Sequence, residues 1–285
     1  DYYASRGLGD VYKRQVYYDV HMQSCDINLA KGREMLIITH CQEGRIEFEY
    51  KNGEYLYLAS GDLSIQKNTE NIRHRYCPLS HYHGVSVAID MNRVPRCFSC
   101  ILDDVFVSPE ELEMKFCSEK PYSIMRENIS IEHIFSELYS VPENIRKGYH
   151  KVKVLELLLF LSGLEYKGES EERRYFSRSQ VTAAKEAKKY LLAHLDEHIT
   201  ITELADMLGI SSTSLKICFK GVYGDTINGY ITNCKMQKAA SLLKNTDKSV
   251  LEIAGIVGYN NGSKFAGAFR RVMNKSPNEY RKSLV

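Results

Sequence analysis

The first half of the chain alternates with a period of two. Ile46, Phe48 and Tyr50 interleave with Arg45, Glu47 and Glu49, the pattern of a strand with one buried face. Asn52-Gly53 follows, and Glu54 to Leu58 resumes the alternation, which predicts a β-hairpin. Before it lies the apolar stretch Met35 to Cys41. After it come the turn Ser60-Gly61-Asp62, the short segment Leu63 to Ile65, and Val85, Val87 and Ile89 alternating with Ser86, Ala88 and Asp90. Short strands with turn punctuation predict a small antiparallel barrel or sandwich over residues 16–107.

After residue 107 the period changes. Ser108-Pro109-Glu110-Glu111 has a cap, a proline at the first helical position and acids in the first turn. A second helix is expected from Ser130, with Ile131, Ile134, Phe135 and Leu138 on one face, and a third from about Pro142 to Leu164. The third is apolar over more than one narrow stripe, so either the sheet or another subunit must cover it. Residues 108–164 therefore form a helical segment. Residues 165–178 are highly charged and read as a linker.

From Val181 onward the pattern is helical, and it nearly repeats. Thr200-Ile-Thr-Glu203 and Ser249-Val-Leu-Glu252 are both capping boxes. Ala205 matches Ala254 and Gly209 matches Gly258, at an offset of 49. Leu215 matches Phe265, and Phe219, Lys220, Asn228 and Tyr230 match Phe269, Arg270, Asn278 and Tyr280, at an offset of 50. Each copy has the grammar of a helix-turn-helix: a short capped helix with a small residue at the crossing, a glycine at the turn, then an amphipathic helix. A helix from Ile227 to Leu243 joins the two. It is about 25 Å long at 1.5 Å per residue, a spacer that could place two reading heads in adjacent major-groove segments.

At this point the sequence resembles the AraC/XylS family of bacterial transcriptional regulators. The motifs are Leu204-Ala205, Leu208-Gly209-Ile210-Ser211, Phe219-Lys220, Ala239 to Leu243, Ile253-Ala254, Val257-Gly258-Tyr259, Phe269-Arg270-Arg271 and Ser276 to Arg281. More weakly, Gly44, the hairpin and Gly61-Asp62-Leu63 look like the cupin-type sensor barrel of many members. The resemblance implies an α+β chain: a cupin-like antiparallel β-barrel, a helical dimerisation segment, and an all-α domain over residues 179–285 with two DNA-binding helix-turn-helix units. The expected partners are double-stranded DNA, a small-molecule effector of unknown identity, a second copy of the chain, and RNA polymerase.

With Leu215 and Phe219 buried, the opposite face of the first recognition helix carries Thr213, Lys216, Ile217 and Lys220, with Ser212 at its start. Lys216 suits a guanine edge, Thr213 or Ile217 a thymine methyl. Lys220 suits a phosphate, which positions without specifying. The family often has arginine where this chain has Ile217, so bidentate guanine reading there is lost. The equivalent second face is Ser263, Ala266, Gly267 and Arg270, with Asn261 and Lys264 as further polar candidates. The first unit is therefore expected to supply most of the discrimination, and the second mainly backbone grip.

Composition sharpens this in one respect. The whole chain has a net charge of +2, but residues 179–285 hold 15 Lys+Arg against 9 Asp+Glu, net +6, and residues 1–178 hold 23 against 27, net −4. The positive part is the part with the repeat, as counterion release from DNA favours. The longest apolar run, Leu157 to Leu161, is five residues, far short of the roughly 20 of a membrane span. With no signal-peptide pattern, the eight cysteines read as reduced thiols of a cytoplasmic protein. Cys97 to Cys100 is a lone CxxC, read as buried small side chains. Residues 1–15 show no sustained periodicity and are set aside as a non-native or disordered tail.

An enzyme is not expected, nor a metal, other cofactor or catalytic residue. His81-Tyr82-His83 mimics half of a metal-cupin HxH motif, but no glutamate follows at three to four residues, and a catalytic metal needs about three protein ligands. His40, His74 and His83, with Tyr57 and Tyr76 as walls carrying a hydroxyl, are the candidate effector-binding residues. The alternatives are a metal-dependent cupin enzyme, or a ligand-free barrel that serves association alone, each fused to a DNA-binding domain.

Overall fold

The computed structural model describes residues 13–22, 34–67, 72–93, 107–126, 129–166 and 176–283. The chain divides into two compact units, residues 1–175 and 176–285.

The first unit is built on an antiparallel sheet of β1 (Lys13–Val20), β2 (Met35–Tyr50), β3 (Tyr55–Ala59), β4 (Leu63–Lys67), β5 (Ile72–Tyr76), β6 (Tyr82–Asp90) and β7 (Tyr122–Met125). β2 organises it. Its first part pairs with β6 and β4, and its second part, from Arg45, pairs with β3 and β5. The β2/β6 register shifts between Cys41 and Glu43, just before Gly44, whose φ is +82°. The two apolar stretches of the sequence, Met35–Cys41 and Ile46–Tyr50, are thus one bent strand. Its first part lacks alternation because both faces are covered: Leu36 and Ile38 belong to one apolar cluster, Met35 and Ile37 to another.

Among the described residues the sheet is open. Its path runs β1-β6-β2-β4-β7, and β3 and β5 extend the far half of β2 rather than closing a ring. The expected closed barrel is corrected on this point. What covers the sheet is helical: α1 (Pro109–Cys117), α2 (Ile129–Ser136), a 3-10 turn at Glu137–Ser140, and α3 (Arg146–Gly163). Ser108 caps α1 by accepting the Glu111 N–H at 3.2 Å, with Pro109 at the first helical position.

α3 starts at Arg146, after a turn in which the Ile145 N–H reaches the Pro142 carbonyl at 3.3 Å. Leu157, Leu158 and Leu161 are fully buried with Leu36, Val85, Phe135 and Leu138. Each contributes about 2 kcal/mol of transfer free energy. Leu155, Leu159 and Phe160 pack on the same cluster, so the sheet layer covers most of the helix's extra apolar width. Val152 stays 65% exposed.

Three strands were not legible in advance: β1, β5 and β7. β1 begins at Lys13, inside the segment set aside as a tail, and pairs with β6 from Lys13↔Ile89 onward. Residues 1–12 and the Cys97–Cys100 pair lie outside the described residues.

The second unit is all helical: α4 (Arg178–Ala193), α5 (Ile201–Met207), α6 (Ser212–Tyr223), α7 (Ile227–Asn245), α8 (Val250–Ile256), α9 (Gly262–Met273) and α10 (Pro277–Lys282). Ser177 and Gln180 form a capping box at the start of α4, and Phe176 is buried. Residues 176–178, expected in the linker, therefore pack with this unit. No described helix is long and apolar enough to cross a membrane.

Candidate nucleic-acid interface

The sequence repeat is also a repeat of local chemistry. Thr200 Oγ1 accepts the Glu203 N–H at 3.2 Å, and Ser249 Oγ accepts the Glu252 N–H at 3.2 Å. The returning bonds, Thr200 N–H to Glu203 and Ser249 N–H to Glu252, are 2.8 and 2.7 Å. Donation from the Thr200 backbone N–H and hydroxyl holds the Glu203 carboxyl below the usual range, and donation from the Ser249 hydroxyl and backbone N–H does the same for Glu252. Gly209 and Gly258 turn the chain at φ +68° and +77°. Ser211 caps α6 and Asn261 caps α9; Thr226 caps α7 and Ser276 caps α10. The first cap pair stands at an offset of 49 and the later two at 50, so the extra residue of the second copy lies in its turn. Phe219 meets Tyr230 edge-on at 5.6 Å, and Phe269 meets Tyr280 edge-on at 5.5 Å. Such pairs add about 1 kcal/mol beyond their buried area.

These supports fix which faces look outward. In α6, Leu215, Cys218, Phe219 and Val222 are buried. Thr213, Lys216 and Lys220 are exposed, and Ile217 and Ser212 are half-buried. In α9, Phe265, Ala268 and Phe269 are buried. Ser263, Lys264, Gly267 and Arg270 are exposed, and Ala266 is half-buried. Asn261 is exposed too, but its side-chain oxygen accepts the Lys264 N–H at 2.9 Å. Its amide NH2 makes no part of that bond and stays available to a ligand.

Not every cation of the unit faces outward. Lys188 Nζ lies 4.9 Å from the centre of the Tyr223 ring and 5.6 Å from that of Tyr230. Lys235 Nζ lies 5.7 Å from the Tyr259 ring. Burial lowers the pKa of both. The net +6 thus overstates the charge offered to a polyanion. Arg271 and Lys275, not singled out in advance, are exposed at the end of α9 and just after it. Arg271 was visible in the Phe269-Arg270-Arg271 motif.

In the first unit, the five candidate effector residues fall into two groups. His40 is 5% exposed, stacks on Phe135 at 4.4 Å, and shares a 3.1 Å hydrogen bond between its Nδ1 and the Tyr139 hydroxyl. Its Nε2 is buried with no partner among the described residues, and burial pushes its pKa down to about 4. His83 is half-buried, its ring 5.5 Å from Tyr139. The sheet register carries Tyr57, Tyr76 and His74 elsewhere, opposite Glu47 and Glu49. Tyr57 is buried and donates to Glu47 at 2.6 Å; Tyr76 is half-buried and His74 exposed. The five do not line one site.

Tyr139, Tyr17 and His150 were not anticipated. Tyr17 donates to the Leu138 carbonyl at 3.2 Å and lies 2.5 Å from His150 Nε2. Together with the His40–Tyr139 bond, this ties the 3-10 turn and α3 to β1 and β2. As for a metal, His81 Nε2 lies 3.3 Å from Glu43 and Tyr82 is fully buried. Among the described residues no group of three or more His, Cys, Asp or Glu is placed to hold one.

Comparison with known proteins agrees with the arrangement of the second unit. Residues 204–283 match a helix-turn-helix domain family. The Xylose operon regulatory protein of Escherichia coli K12 is 31% identical over 153 residues, covering 50% of this chain and 39% of that protein. The Melibiose operon regulatory protein of the same strain is 30% identical over 93 residues, covering 33% of this chain and 31% of that protein. The chain thus spans about two fifths or less of the length of these relatives, which are named as regulators and not as enzymes. Among solved structures, the C-terminal domain of the response regulator AraT from Geobacillus stearothermophilus is 32% identical, with a TM-score of 0.35. The match covers 35% of this chain and 84% of that one.

Proposed function

For a chain that belongs to the AraC/XylS family of transcriptional regulators, we propose unequal duties for its two helix-turn-helix units. α6 reads bases, through Thr213, Lys216 and Ile217, with Ser212 and Lys220 holding the backbone beside them. α9 grips the phosphates through Lys264 and Arg270, with Ser263 and Asn261 as minor polar contacts. One observation carries this reading. At an offset of 50, exposed Lys216 and half-buried Ile217 are replaced by Ala266 and Gly267, which offer a base edge nothing to hydrogen-bond.

The rest of the proposal concerns the first unit. It is a cupin-like sensor, in which His40, His83 and Tyr139 supply polar anchors for a small effector and Tyr57, Tyr76 and His74 take no part. Its helical segment makes a homodimer, for which exposed Val152 on α3 is available. The protein works in the cytoplasm, where its DNA is, and acts on transcription by RNA polymerase.

The test of the α6 reading compares Lys216→Ala with Ser263→Ala on DNA selected from a randomised duplex library. Lys216→Ala is expected to lose about fivefold in discrimination between selected and scrambled duplex, roughly 1 kcal/mol. Ser263→Ala should stay within about twofold of the parent, as a minor contact does. A larger loss from Ser263→Ala would sink the assignment.

A further inference from the structure

Phe176 stands one residue before the N-cap of α4, with Val181 at the fourth helical position, the spacing of a hydrophobic staple. Its ring nevertheless lies against Gly221 of α6. A Cβ added to Gly221 would fall on Cε2 and Cζ of that ring, so the close approach requires glycine there. Phe176 is 6% exposed.

A second attachment lies two turns away. Gln180 Nε2 donates to Ser214 Oγ at 3.2 Å, while its Oε1 accepts the Ser177 N–H at 3.0 Å and closes the capping box of α4. Ser214 and Gly221 are seven residues apart, so they share one stripe of α6, about 10 Å apart along its axis. The stripe lies about a quarter to two fifths of a turn from Thr213, Lys220 and Lys216, with Lys216 the farthest round. In the second helix-turn-helix, the equivalent positions at an offset of 50 are Lys264 and Arg271, and both are exposed.

Two attachments on one stripe fix the roll of a helix about its own axis. Roll matters for reading. A rotation of about 15° at a radius of about 6 Å moves a side-chain base by roughly 1.5 Å, beyond the ~0.5 Å that a hydrogen-bonded constellation tolerates. Phosphate contacts are more forgiving, since long cations follow a diffuse charge.

We propose that Phe176 and Gln180 are positioning residues for base reading: they clamp α6 at Gly221 and Ser214 and so set the sequence discrimination of the first helix-turn-helix. This rests on the reading that α6 contacts bases. The clamp is local to the second unit, yet Phe176 is also where the preceding chain is covalently attached to it.

The experiment uses the full chain and two probes: a duplex selected by the parent protein from a randomised library, and poly(dI-dC) as non-specific DNA. The variants are Phe176→Ala, Gly221→Ala, Phe176→Leu and Lys216→Ala. Gly221→Ala displaces the ring while raising helix propensity, so it keeps the helix formed. Phe176→Ala and Gly221→Ala should each lower the selected-to-non-specific affinity ratio about fivefold or more, with poly(dI-dC) affinity within about twofold. Phe176→Leu should restore at least half of the loss on a logarithmic scale.

A merely structural role would reduce the active fraction and lower both affinities together, leaving the ratio unchanged. An unchanged ratio in Gly221→Ala overturns the proposal, whatever happens to the melting temperature. If Lys216→Ala loses discrimination and the clamp variants do not, the clamp alone is wrong. If Lys216→Ala loses none either, the assignment of α6 as the base reader falls with it.

Discussion

The two turn glycines offer a measurement in which one protein contains its own control. Gly209 and Gly258 occupy equivalent positions with similar positive φ, +68° and +77°. An alanine at either must adopt a left-handed conformation, costing about 1–2 kcal/mol. The stiffer unfolded chain returns about 0.4–1 kcal/mol of that. Gly209→Ala has no further cost, because a Cβ there meets nothing within 4 Å. Its net loss should be about 1 kcal/mol. At Gly258 the same Cβ would lie 2.5 Å from the Asp196 carbonyl oxygen and 3.0 Å from Lys235 Nζ. A backbone atom cannot swing aside as a side-chain tip can, so overpacking adds about 1–3 kcal/mol. The expected loss for Gly258→Ala is about 2–4 kcal/mol.

The assay is amide hydrogen exchange on the full chain, following the slowest amides of α5–α6 and of α8–α9, which report local opening free energies. Protection should fall about fivefold in the first copy for Gly209→Ala. It should fall by about a hundredfold in the second for Gly258→Ala. Equal falls, or a larger one for Gly209→Ala, would refute the argument, because the only structural difference invoked is the crowding of Gly258 by the Asp196 carbonyl and Lys235 Nζ.

Two further outcomes follow from charge and burial. Burial holds the His40 pKa at about 4 against an ordinary 6.5, so as pH falls the unfolded chain takes up the proton first. The first unit should keep its full stability above pH ~6.5 and lose up to about 3 kcal/mol by pH ~4. His150, also lowered by burial, adds to the slope, and His40→Leu should flatten it in urea titrations across that range; an unaltered slope would contradict this. On the DNA side, Lys220→Ala should reduce the slope of log affinity against log salt by about 0.9, the loss of one phosphate contact. It should leave base preference unchanged, and a shift in preference would move Lys220 into the reading set.

What could be read from the sequence follows from how local the responsible physics is. The caps at Ser108, Thr200 and Ser249 were legible because the acceptor and donor lie three residues apart. The outward faces of α6 and α9 were legible because one period fixes them. β1 was missed because its apolar members Val16, Tyr18 and Val20 follow fifteen residues with no pattern, and their partner β6 lies some 70 positions away. β7 was missed because four residues, Tyr122–Met125, carry too little periodicity inside a helical stretch. The effector candidates fared worst. His40 and His74 look alike in sequence, and only the pairing of β2 separates them: one is opposite Val85 and the other opposite Glu49. Tyr139 drew no attention because its role depends on His40, 99 residues away. The clamp on α6 was invisible for the same reason, since nothing local distinguishes Gly221 from a mildly unfavourable helix residue.

The positions that match between the two copies and those that do not sort by what they do. Caps, turn glycines and the edge-on Phe–Tyr pairs hold backbone geometry, and they agree. The outward positions disagree, and in one direction. α6 presents Lys216 and Lys220 beside Thr213 and Ile217, with the stripe through Ser214 and Gly221 engaged by Gln180 of α4 and by Phe176 just before it. α9 presents Lys264, Arg270 and Arg271 around Ala266 and Gly267, with that stripe left exposed. A surface with more cations, no hydrogen-bonding side chain at the position of Lys216 and no roll clamp attracts a phosphate backbone well and distinguishes bases poorly. A surface with fewer cations, a defined roll and mixed donors does the reverse. On the proposed reading, one scaffold used twice gives one head that specifies and one that holds, and the difference is set by about five outward side chains rather than by the fold.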